Sequence, residues 1–443
     1  MTARDTALRT LTACRRKGAW MDLELKQNIP QAGLDRRDAA LATRLCCGVI
    51  QNRMLLDHWI GGFLKGRLSD LQPVVLDILR LAVYQLRFLD KIPPSAAVNE
   101  AVDQAKRLAN PRAAGLVNGV LRNILRHPEQ LTLPEDLSLR YSHPRDLVEL
   151  LADSLGQEKL EPLLRNHNAE PSTFAQLNPL RGSLAQVTDS LNRDGITALP
   201  HRWLPGCLIL RGGSPEQTEA FRTGQIYIQD PAARLAVTAA GLAPGMRVLD
   251  CCAAPGGKSF AAAIDLEDRG SVTSCDIHPH KIALIEKGAA RLGLQSVSAR
   301  VRDASEPLPA WNSAFDAVLA DVPCSGLGVI RKKPDIRYKD LAQARALPEI
   351  QLRILQNQAN YVRPGGLLVY STCTVLRREN EAVIRAFLQS RSDFSPEPFH
   401  LPGGLEAPAG QLTLLPCDHD TDGFFIARLR RAPSTGANDE TRD

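Results

Sequence analysis

The sequence has no segment suited to cross a membrane as a helix and no cysteine spacing typical of a zinc site. None of its 443 residues lie in a run that approaches roughly 18 uninterrupted apolar residues, and the first residues do not open the apolar region of a signal peptide. Ten cysteines are present, but no two form a Cys-x-x-Cys pair. We therefore expect a cytoplasmic, globular protein with reduced thiols, no membrane association and no bound metal.

Positive charge is distributed unevenly along the chain. The formal net charge is only +5, yet residues 1–130 contain 20 Lys and Arg against 12 Asp and Glu, and residues 131–443 contain 34 against 37. A basic surplus in one part of a chain is typical of a protein that binds a polyanion such as nucleic acid. Solvated surface charge without a partner would give the same count.

The first part of the chain has the periodicity of helices and almost no strand pattern. Apolar residues recur at three- and four-residue spacing through residues 39–60 and again through residues 74–89. This spacing predicts an all-helical domain over residues 1–130. The charged, proline-interrupted segment 131–171 is predicted to be a linker that contains helices.

Strand and helix patterns alternate in the rest of the sequence. Residues 172–242 predict a small α/β subdomain, and the more regular alternation over residues 243–431 predicts βαβ units. The expected fold class is therefore α/β, with a doubly wound, Rossmann-like parallel sheet. The small, polar tail 432–443 is expected to be disordered.

A glycine-rich turn, DCCAAPGGK at residues 250–258, follows the first strand of the predicted sheet. Ligands of open α/β sheets lie beyond the carboxyl ends of the strands, where glycine allows a close approach to the backbone. The turn lacks the Gly-x-Gly-x-x-Gly spacing, which argues against a dinucleotide. Asp276 and Asp303 end the next two predicted strands, where carboxylates can bind ribose hydroxyls or an adenine edge. Helix capping or a turn is the alternative role for each.

Two cysteines follow two later predicted strands, in DVPCS at residues 321–325 and YSTCT at residues 370–374. A thiolate at such a place can act as a nucleophile, and a neighbouring carboxylic acid can orient a substrate. The spacing does not rank Cys324 against Cys373, and a buried structural cysteine is the alternative for either one alone. The basic segment 328–338 comes next and is predicted to contact phosphates and to stack Tyr338 on a base.

Together, these motifs resemble those of the S-adenosylmethionine-dependent RNA cytosine-C5 methyltransferases. CAAPGGK, DVPCS and STC, flanked by QDPA at residues 229–232 and DGFF at residues 422–425, follow the order of that family. IPPSAAVNEAV at residues 92–102 and VNGVLR at residues 117–122 resemble the NusB antitermination-factor family, whose domains bind RNA. The combination is similar to the bacterial branch that methylates 16S ribosomal RNA.

The resemblance implies methylation of carbon 5 of a cytosine in 16S ribosomal RNA, with S-adenosylmethionine as cosubstrate. It implies that Cys373 is the nucleophile that bonds to carbon 6, that Cys324 assists proton removal and release, and that Asp321 contacts the N3 and amino edge of the base. We expect a monomer that acts on an unstacked cytosine. The implied cofactor-binding residues are Cys252, Ala253, Ala254, Pro255, Gly256, Gly257, Lys258, Asp276, Asp303 and Asp321.

Other functions remain open from the sequence. A transfer RNA could be the substrate, and the chain could be a non-catalytic RNA-binding antitermination or assembly factor. DNA methylation is disfavoured, because the corresponding DNA enzymes use the Pro-Cys thiol as nucleophile and this chain has an additional Thr-Cys.

Overall fold

The structure is a computed structural model that describes residues 1–434, so most of the tail expected to be disordered lies outside the described residues. It divides into two compact units. The helical unit comprises Met1–Ala169 together with Ile330–Lys339, and the α/β unit comprises Glu170–Val329 and the chain from Asp340 onward. Among the described residues, no helix is long and apolar enough to span a bilayer.

The helical unit is built around one apolar core, to which helices of the first 126 residues contribute. Thr2, Asp35 and Asn110 cap three of its helices by accepting a hydrogen bond from a backbone N–H three residues later. The unit extends beyond residue 130 to Ala169. Its described α-helices are α1 (Ala3–Lys17), α2 (Met21–Ala32), α3 (Arg36–Gln51), α4 (Arg53–Gly62), α5 (Pro73–Phe88), α6 (Pro94–Leu108), α7 (Pro111–Arg126), α8 (Leu137–Tyr141), α9 (Arg145–Leu155) and α10 (Gln157–His167).

The segment Ile330–Lys339 packs within this helical unit, although it lies far along the chain. Arg337 is only 1% exposed, and burial lowers its pKa to about 10. The Tyr338 hydroxyl donates to main-chain carbonyls, and the Arg53 guanidinium lies 3.5 Å from the centre of its ring. The Arg337 guanidinium donates hydrogen bonds to neutral oxygens, namely the carbonyls of Gln51, Tyr141, Ser142 and His167 and the side chain of Asn168.

The prediction that segment 328–338 contacts RNA is therefore wrong for Arg337 and Tyr338. Both side chains are committed to packing and hydrogen bonding inside the helical unit, where a phosphate or base would have to displace existing partners. Lys333, by contrast, is exposed.

The first part of the α/β unit is a four-stranded antiparallel sheet in the order β2-β3-β1-β4. Two helices accompany it, and Ser183 and Gln186 form a capping box at the start of the longer one. The elements of this subdomain are β1 (Thr173–Leu177), α11 (Leu184–Arg193), β2 (Thr197–Pro200), β3 (Cys207–Arg211), α12 (Glu219–Arg222) and β4 (Ile226–Ile228).

The second part is an eight-stranded sheet flanked by helices, and its last strands in sequence are the short β10 and β13 and the long β14. Its elements, with the small hairpin β11–β12, are α13 (Pro231–Thr238), β5 (Arg247–Asp250), α14 (Gly257–Asp265), β6 (Ser271–Asp276), α15 (Pro279–Leu292), β7 (Val297–Val301), β8 (Phe315–Asp321), α16 (Leu347–Ala359), β9 (Val362–Thr372), α17 (Glu381–Ser390), β10 (Phe394–Pro396), β11 (Phe399–Leu401), β12 (Leu405–Ala407), β13 (Gln411–Leu414), α18 (Pro416–His419) and β14 (Phe424–Arg431).

The order of the large sheet is β10-β14-β9-β8-β5-β6-β7, with β13 also paired to β14. Strands β9, β8, β5, β6 and β7 are parallel, so the predicted doubly wound, Rossmann-like fold is confirmed. After β5 the chain builds β6 and β7 on one side and then crosses to build β8 and β9 on the other. The direction of winding thus reverses between β5 and β8, which is where such sheets bind ligands.

Helices cover both faces of the large sheet. Along β8, Ala317 and Leu319 pack in a core with residues of α13, α14 and α15, whereas Val318 and Ala320 pack in a second core with residues of α16 and α17. Because successive strand residues point to opposite faces, β8 is apolar on both sides. Burial on both faces leaves the ends of the strands as the part of the sheet open to ligands.

We expect Arg337→Met to destabilise the helical unit, because it removes the donor shared by several buried carbonyls. An unpaired buried acceptor costs about 1–3 kcal/mol, so the loss in free energy of unfolding should reach roughly 3 kcal/mol. Hydrogen exchange followed by mass spectrometry should show faster exchange in α3 and α10. Lys333→Gln, in the same segment, is the control, and unchanged exchange in Arg337→Met would contradict this role.

Candidate active site

The two cysteines singled out in the sequence meet at one edge of the large sheet. β8 and β9 are parallel, and Asp321 at the end of β8 lies opposite Ser371. Cys324 and Cys373 follow these two residues closely, and the distance between their sulfur atoms is 3.2 Å. Strand register therefore brings together thiols that are 49 residues apart in sequence.

A carboxylate and an ammonium group lie at the same edge. Asp321 accepts hydrogen bonds from the Ser371 hydroxyl at 2.8 Å and from Lys258 Nζ at 2.7 Å. Burial lowers the pKa of Lys258, but the charge and hydrogen bond of Asp321 raise it together with Asp250, and the net shift is upward. A Cys373 thiolate would attract the same ammonium group. Lys258, predicted as a cofactor-binding residue, thus contacts a predicted catalytic residue.

The thiol of Cys324 is held in its protonated form. Its hydrogen bond with Cys373 and its burial raise the pKa of Cys324 well above the ordinary value, and Glu379 adds to the shift. The Cys324 and Cys373 sulfur atoms share one hydrogen bond, in which either thiol can be the donor. The pair has one thiol with a high pKa next to the group that would react as a thiolate.

The loop that carries Cys324 is fixed by hydrogen bonds to the loop that carries Cys373. The Ser325 and Thr374 hydroxyls lie 2.8 Å apart, and the Gly328 N–H donates to the Cys373 carbonyl at 2.9 Å. The backbone at Gly328 also approaches that of Gly423 so closely that a Cβ would overlap it. Hydrogen bonds and close backbone packing therefore hold the two cysteine loops in a fixed arrangement.

The glycine-rich turn lies at the carboxyl end of β5, next to these loops. Asp250 is buried, and one of its oxygens accepts a hydrogen bond from Ser259, whose hydroxyl in turn accepts from Ser274. Burial raises the pKa of Asp250 to about 6, and its other oxygen has no partner among the described residues. Gly256 has φ of 110°, and a Cβ there would overlap the Phe260 ring, which accounts for glycine at that position.

A pocket of about 320 Å³ opens at the carboxyl ends of β5, β6 and β7, and both predicted carboxylates line it. Asp276 accepts from the His278 N–H through one oxygen. Asp303 accepts from the N–H and hydroxyl of Ser305, and the backbone hydrogen bond lowers its pKa. Asp303 thus also has the turn role that the sequence left open. Ile277 is 52% exposed and lines the pocket.

These residues fit a nucleoside-containing methyl donor. The pocket combines carboxylates for hydroxyl or amino groups with an apolar surface from Ile277, Ile350 and Pro323 for a flat ring. The unpaired oxygen of buried Asp250 leaves an acceptor for a polar group of the ligand. Of the predicted turn residues, Cys252 lines the pocket, Ala253 is buried and Pro255 is exposed.

The motifs do not identify four residues of this site. Ile277 follows Asp276 directly, and an exposed apolar residue after a strand-end carboxylate is a usable signal. Ser371 lies within YSTCT, but the motif gives it no role of its own, whereas in the structure its hydroxyl donates to Asp321. Gln351 and Glu379 lie outside the motifs. No pattern in the sequence predicts the contacts that their amide and carboxyl groups make.

We expect Cys324 to resist alkylation, because only the thiolate reacts and its pKa is raised. Iodoacetamide labelling followed by peptide mass spectrometry should show a Cys324 rate that still increases above about pH 8.5, the pKa of a free cysteine. Cys373→Ala removes the largest cause of the shift and should accelerate the labelling of Cys324. A rate that levels off near the free-cysteine value in the unsubstituted protein would contradict the raised pKa.

Three known protein families match successive segments of the chain. Residues 238–430 match the family described as 16S rRNA methyltransferase RsmB/F. Residues 1–126 match the NusB family, and residues 143–216 match the ferredoxin-like domain of RsmF/B-like methyltransferases.

Similar proteins extend over the whole chain. A probable ribosomal RNA small subunit methyltransferase B of Bacillus subtilis is 38% identical, covering 97% of this chain and 98% of its own length. A protein of the same description from Synechocystis is 35% identical over 98% of this chain and 100% of its own.

Solved structures with the same fold include PH0851, with a TM-score of 0.78 and 25% identity over 96% of this chain and 98% of its own. NSun6 from Pyrococcus horikoshii with SFG has a TM-score of 0.59 and 21% identity over 66% of this chain and 99% of its own. The chain belongs to the 16S rRNA methyltransferase RsmB/F family and is an S-adenosylmethionine-dependent rRNA methyltransferase.

Proposed function

We propose that this protein methylates carbon 5 of a cytosine in 16S ribosomal RNA through a transient covalent bond between Cys373 and carbon 6 of the base. The observation that carries the proposal is the pair of thiols, 3.2 Å apart, beside the Lys258–Asp321 ion pair at the edge of the sheet. Methylation of a nitrogen or a hydroxyl would require neither of the two adjacent thiols. Methylation of a ring carbon uses one thiol as the nucleophile and the other as the proton acceptor.

Carbon 5 of cytosine is a weak nucleophile, and addition of a thiolate to carbon 6 makes carbon 5 more nucleophilic. The Cys373 sulfur forms a bond to carbon 6, and the electrons of the carbon 5–carbon 6 double bond move into the ring. S-adenosylmethionine, when bound, supplies an electrophilic methyl group. The electron pair at carbon 5 forms the bond to that methyl group, the sulfur–methyl bond breaks, and the donor leaves as the neutral thioether S-adenosylhomocysteine. Carbon 5 then carries both its original proton and the new methyl group.

Asp321 would orient the base, and Lys258 would stabilise the negative charge that addition creates in the ring. Asp321 is assigned the N3 and amino edge of cytosine, where its carboxylate can accept an amino N–H. The Lys258 ammonium, 2.7 Å from that carboxylate, provides positive charge close to the ring. Fixed charges placed where charge develops cost no reorganisation during the reaction.

Cys324 completes the reaction by removing the proton from carbon 5. Once the Cys373 sulfur is bonded to carbon 6, the hydrogen bond that most strongly favours the Cys324 thiol is lost. The Cys324 proton can then leave to solvent, and the thiolate can accept the carbon 5 proton. The electrons of that C–H bond restore the double bond, the bond between Cys373 and carbon 6 breaks, and Cys373 leaves as a thiolate. Each turnover returns both sulfurs to their starting states and releases one proton. The raised pKa of Cys324 suits a group that must take a proton from carbon.

The pocket next to this edge is the proposed site of the cosubstrate. We assign to it the residues Cys252, Ala253, Ala254, Pro255, Gly256, Gly257, Lys258, Asp276, Asp303 and Asp321, with Ile277 added from its place in the pocket.

A groove of about 890 Å³ in the helical unit supports RNA binding by that unit. Arg9, Arg15, Arg16 and Arg107 line it, against a single carboxylate, Asp5. Arg107 pairs with Asp5 and Arg15 with Asp77, whereas Arg9 and Arg16 are exposed. Exposed guanidinium groups along a groove suit the phosphates of a nucleic acid.

The choice of 16S ribosomal RNA rests on the names of the similar proteins, which refer to the ribosomal small subunit. Such a substrate places the activity in the cytoplasm. Comparing methyl transfer to isolated 16S ribosomal RNA and to transfer RNA tests the choice directly.

Replacing each thiol in turn should separate the two roles. We expect Cys324→Ala to accumulate a covalent protein–RNA adduct, because addition and methyl transfer proceed while release is blocked. Cys373→Ala should neither methylate nor form the adduct. A denaturing gel of protein incubated with RNA and S-adenosylmethionine measures both, and the reverse pattern would exchange the roles of the two cysteines.

Removing positive charge from the groove should weaken RNA binding in a salt-dependent way. For the double variant Arg9→Gln with Arg16→Gln, the slope of log affinity against log salt should decrease by roughly 1.4, at about 0.7 per phosphate contact for single strands. Filter binding at several salt concentrations measures the slope. Arg67→Gln, an exposed arginine outside the groove, is the control. An unchanged slope in the double variant would exclude the groove as an RNA site.

A further inference from the structure

A buried carboxyl group, Glu379, lies behind the Cys324 loop and has no part in the reaction as described so far. Its side chain belongs to a fully buried residue, 0% exposed. One of its oxygens accepts hydrogen bonds from the Ser325 N–H and from the Gln351 side chain, both at 2.9 Å. Burying a carboxyl group is costly, so its retention calls for a reason.

Glu379 and Gln351 form hydrogen bonds with the backbone on both sides of Cys324. The Gln351 amide donates to the carbonyl of Pro323 at 2.9 Å, and Glu379 accepts from the N–H of Ser325. These are the peptide groups that immediately precede and follow Cys324. Fixing both of them fixes the direction in which the Cys324 side chain leaves the backbone.

Glu379 is itself held rigidly to the loop of Cys373. The Tyr370 hydroxyl donates to the Glu379 carbonyl at 2.5 Å. The neighbouring Asn380 side chain donates to the Thr374 carbonyl at 3.0 Å and accepts from the Thr372 hydroxyl at 2.6 Å. The anchor of Cys324 is thus fixed to the strand that ends at Cys373, so the distance between the two sulfurs depends on it.

We propose that Glu379, together with Gln351, is a positioning residue that holds Cys324 in place to remove the carbon 5 proton, and that it acts without touching the substrate. This inference rests on the proposed function, since it concerns the release step. The support for it is geometric: Glu379 and Gln351 each make a 2.9 Å hydrogen bond to one of the two peptide groups that flank Cys324.

The role predicts a distinctive defect in Glu379→Ala. The first round of methyl transfer should stay within about threefold of the unsubstituted protein, whereas steady-state turnover should fall about 100-fold, the effect expected from a misplacement of about 1 Å. The covalent adduct should accumulate, as in Cys324→Ala. Single-turnover kinetics, steady-state kinetics and a denaturing gel measure these three quantities.

Two further variants test the mechanism by which Glu379 acts. Glu379→Gln keeps an oxygen that can accept the Ser325 N–H and should show less adduct and faster turnover than Glu379→Ala. The double variant Cys324→Ala with Glu379→Ala should behave as Cys324→Ala alone, because a residue that acts through Cys324 adds nothing once that thiol is gone. Glu349→Gln changes an exposed carboxylate on the helix of Gln351 and should behave as the unsubstituted protein.

Gln351→Leu keeps the side-chain volume and leaves Glu379 unchanged, so it serves if Glu379→Ala does not fold. It too should accumulate adduct. If Glu379→Ala, or Gln351→Leu in its place, loses first-round transfer together with the adduct, or keeps normal turnover, the positioning role is overturned. If neither the unsubstituted protein nor Cys324→Ala ever forms an adduct or methylates carbon 5, the proposed function fails instead.

Discussion

The parallel pairing of β8 with β9 is the constraint on which the active site depends. It sets Asp321 opposite Ser371 and brings together the loops that carry Cys324 and Cys373. A shift of one residue would turn the side chains of β9 to the opposite faces of the sheet. The apolar residues on both faces of β8 oppose such a shift, since each set packs in its own core. Core packing thus fixes the distance between the two sulfurs.

The two cysteines have unequal surroundings, although they lie side by side. Cys373 shares its vicinity with the Lys258 ammonium, whereas the surroundings of Cys324 include the Glu379 carboxyl group. The two thiols thus differ in their charged neighbours. The difference comes from Lys258 on α14 and from Glu379 in the segment between β9 and α17.

The sequence predicted the parallel strands well because each is a short apolar run that ends in a recognisable motif. β5 ends at Asp250, where the glycine-rich turn begins, and β8 ends at Asp321, where DVPCS begins. The antiparallel pairing of β14 and the short strands β10 and β13 were not predicted, because runs of three or four residues have too little periodicity. The fold class could thus be read from local patterns, and the edge of the sheet could not.

Residues that act through long-range contacts were beyond the reach of sequence patterns. The basic segment that contains Arg337 reads as a solvent-exposed loop, and only the structure shows that main-chain carbonyls of the helical unit surround that guanidinium. The proposed role of Glu379 likewise depends on its hydrogen bond with Ser325, which is 54 residues away in sequence. Motifs identified the groups that react, and three-dimensional packing identified the groups that hold them.

The most direct test of the account is to find which sulfur bonds to the base. RNA that contains 5-fluorocytidine carries fluorine where the departing proton would be, so the adduct cannot be resolved and can be mapped by peptide mass spectrometry. The account predicts that the nucleotide is attached to Cys373 and that its ring carries a methyl group on carbon 5. Attachment to Cys324, or methylated RNA with no attachment to any cysteine, would contradict it.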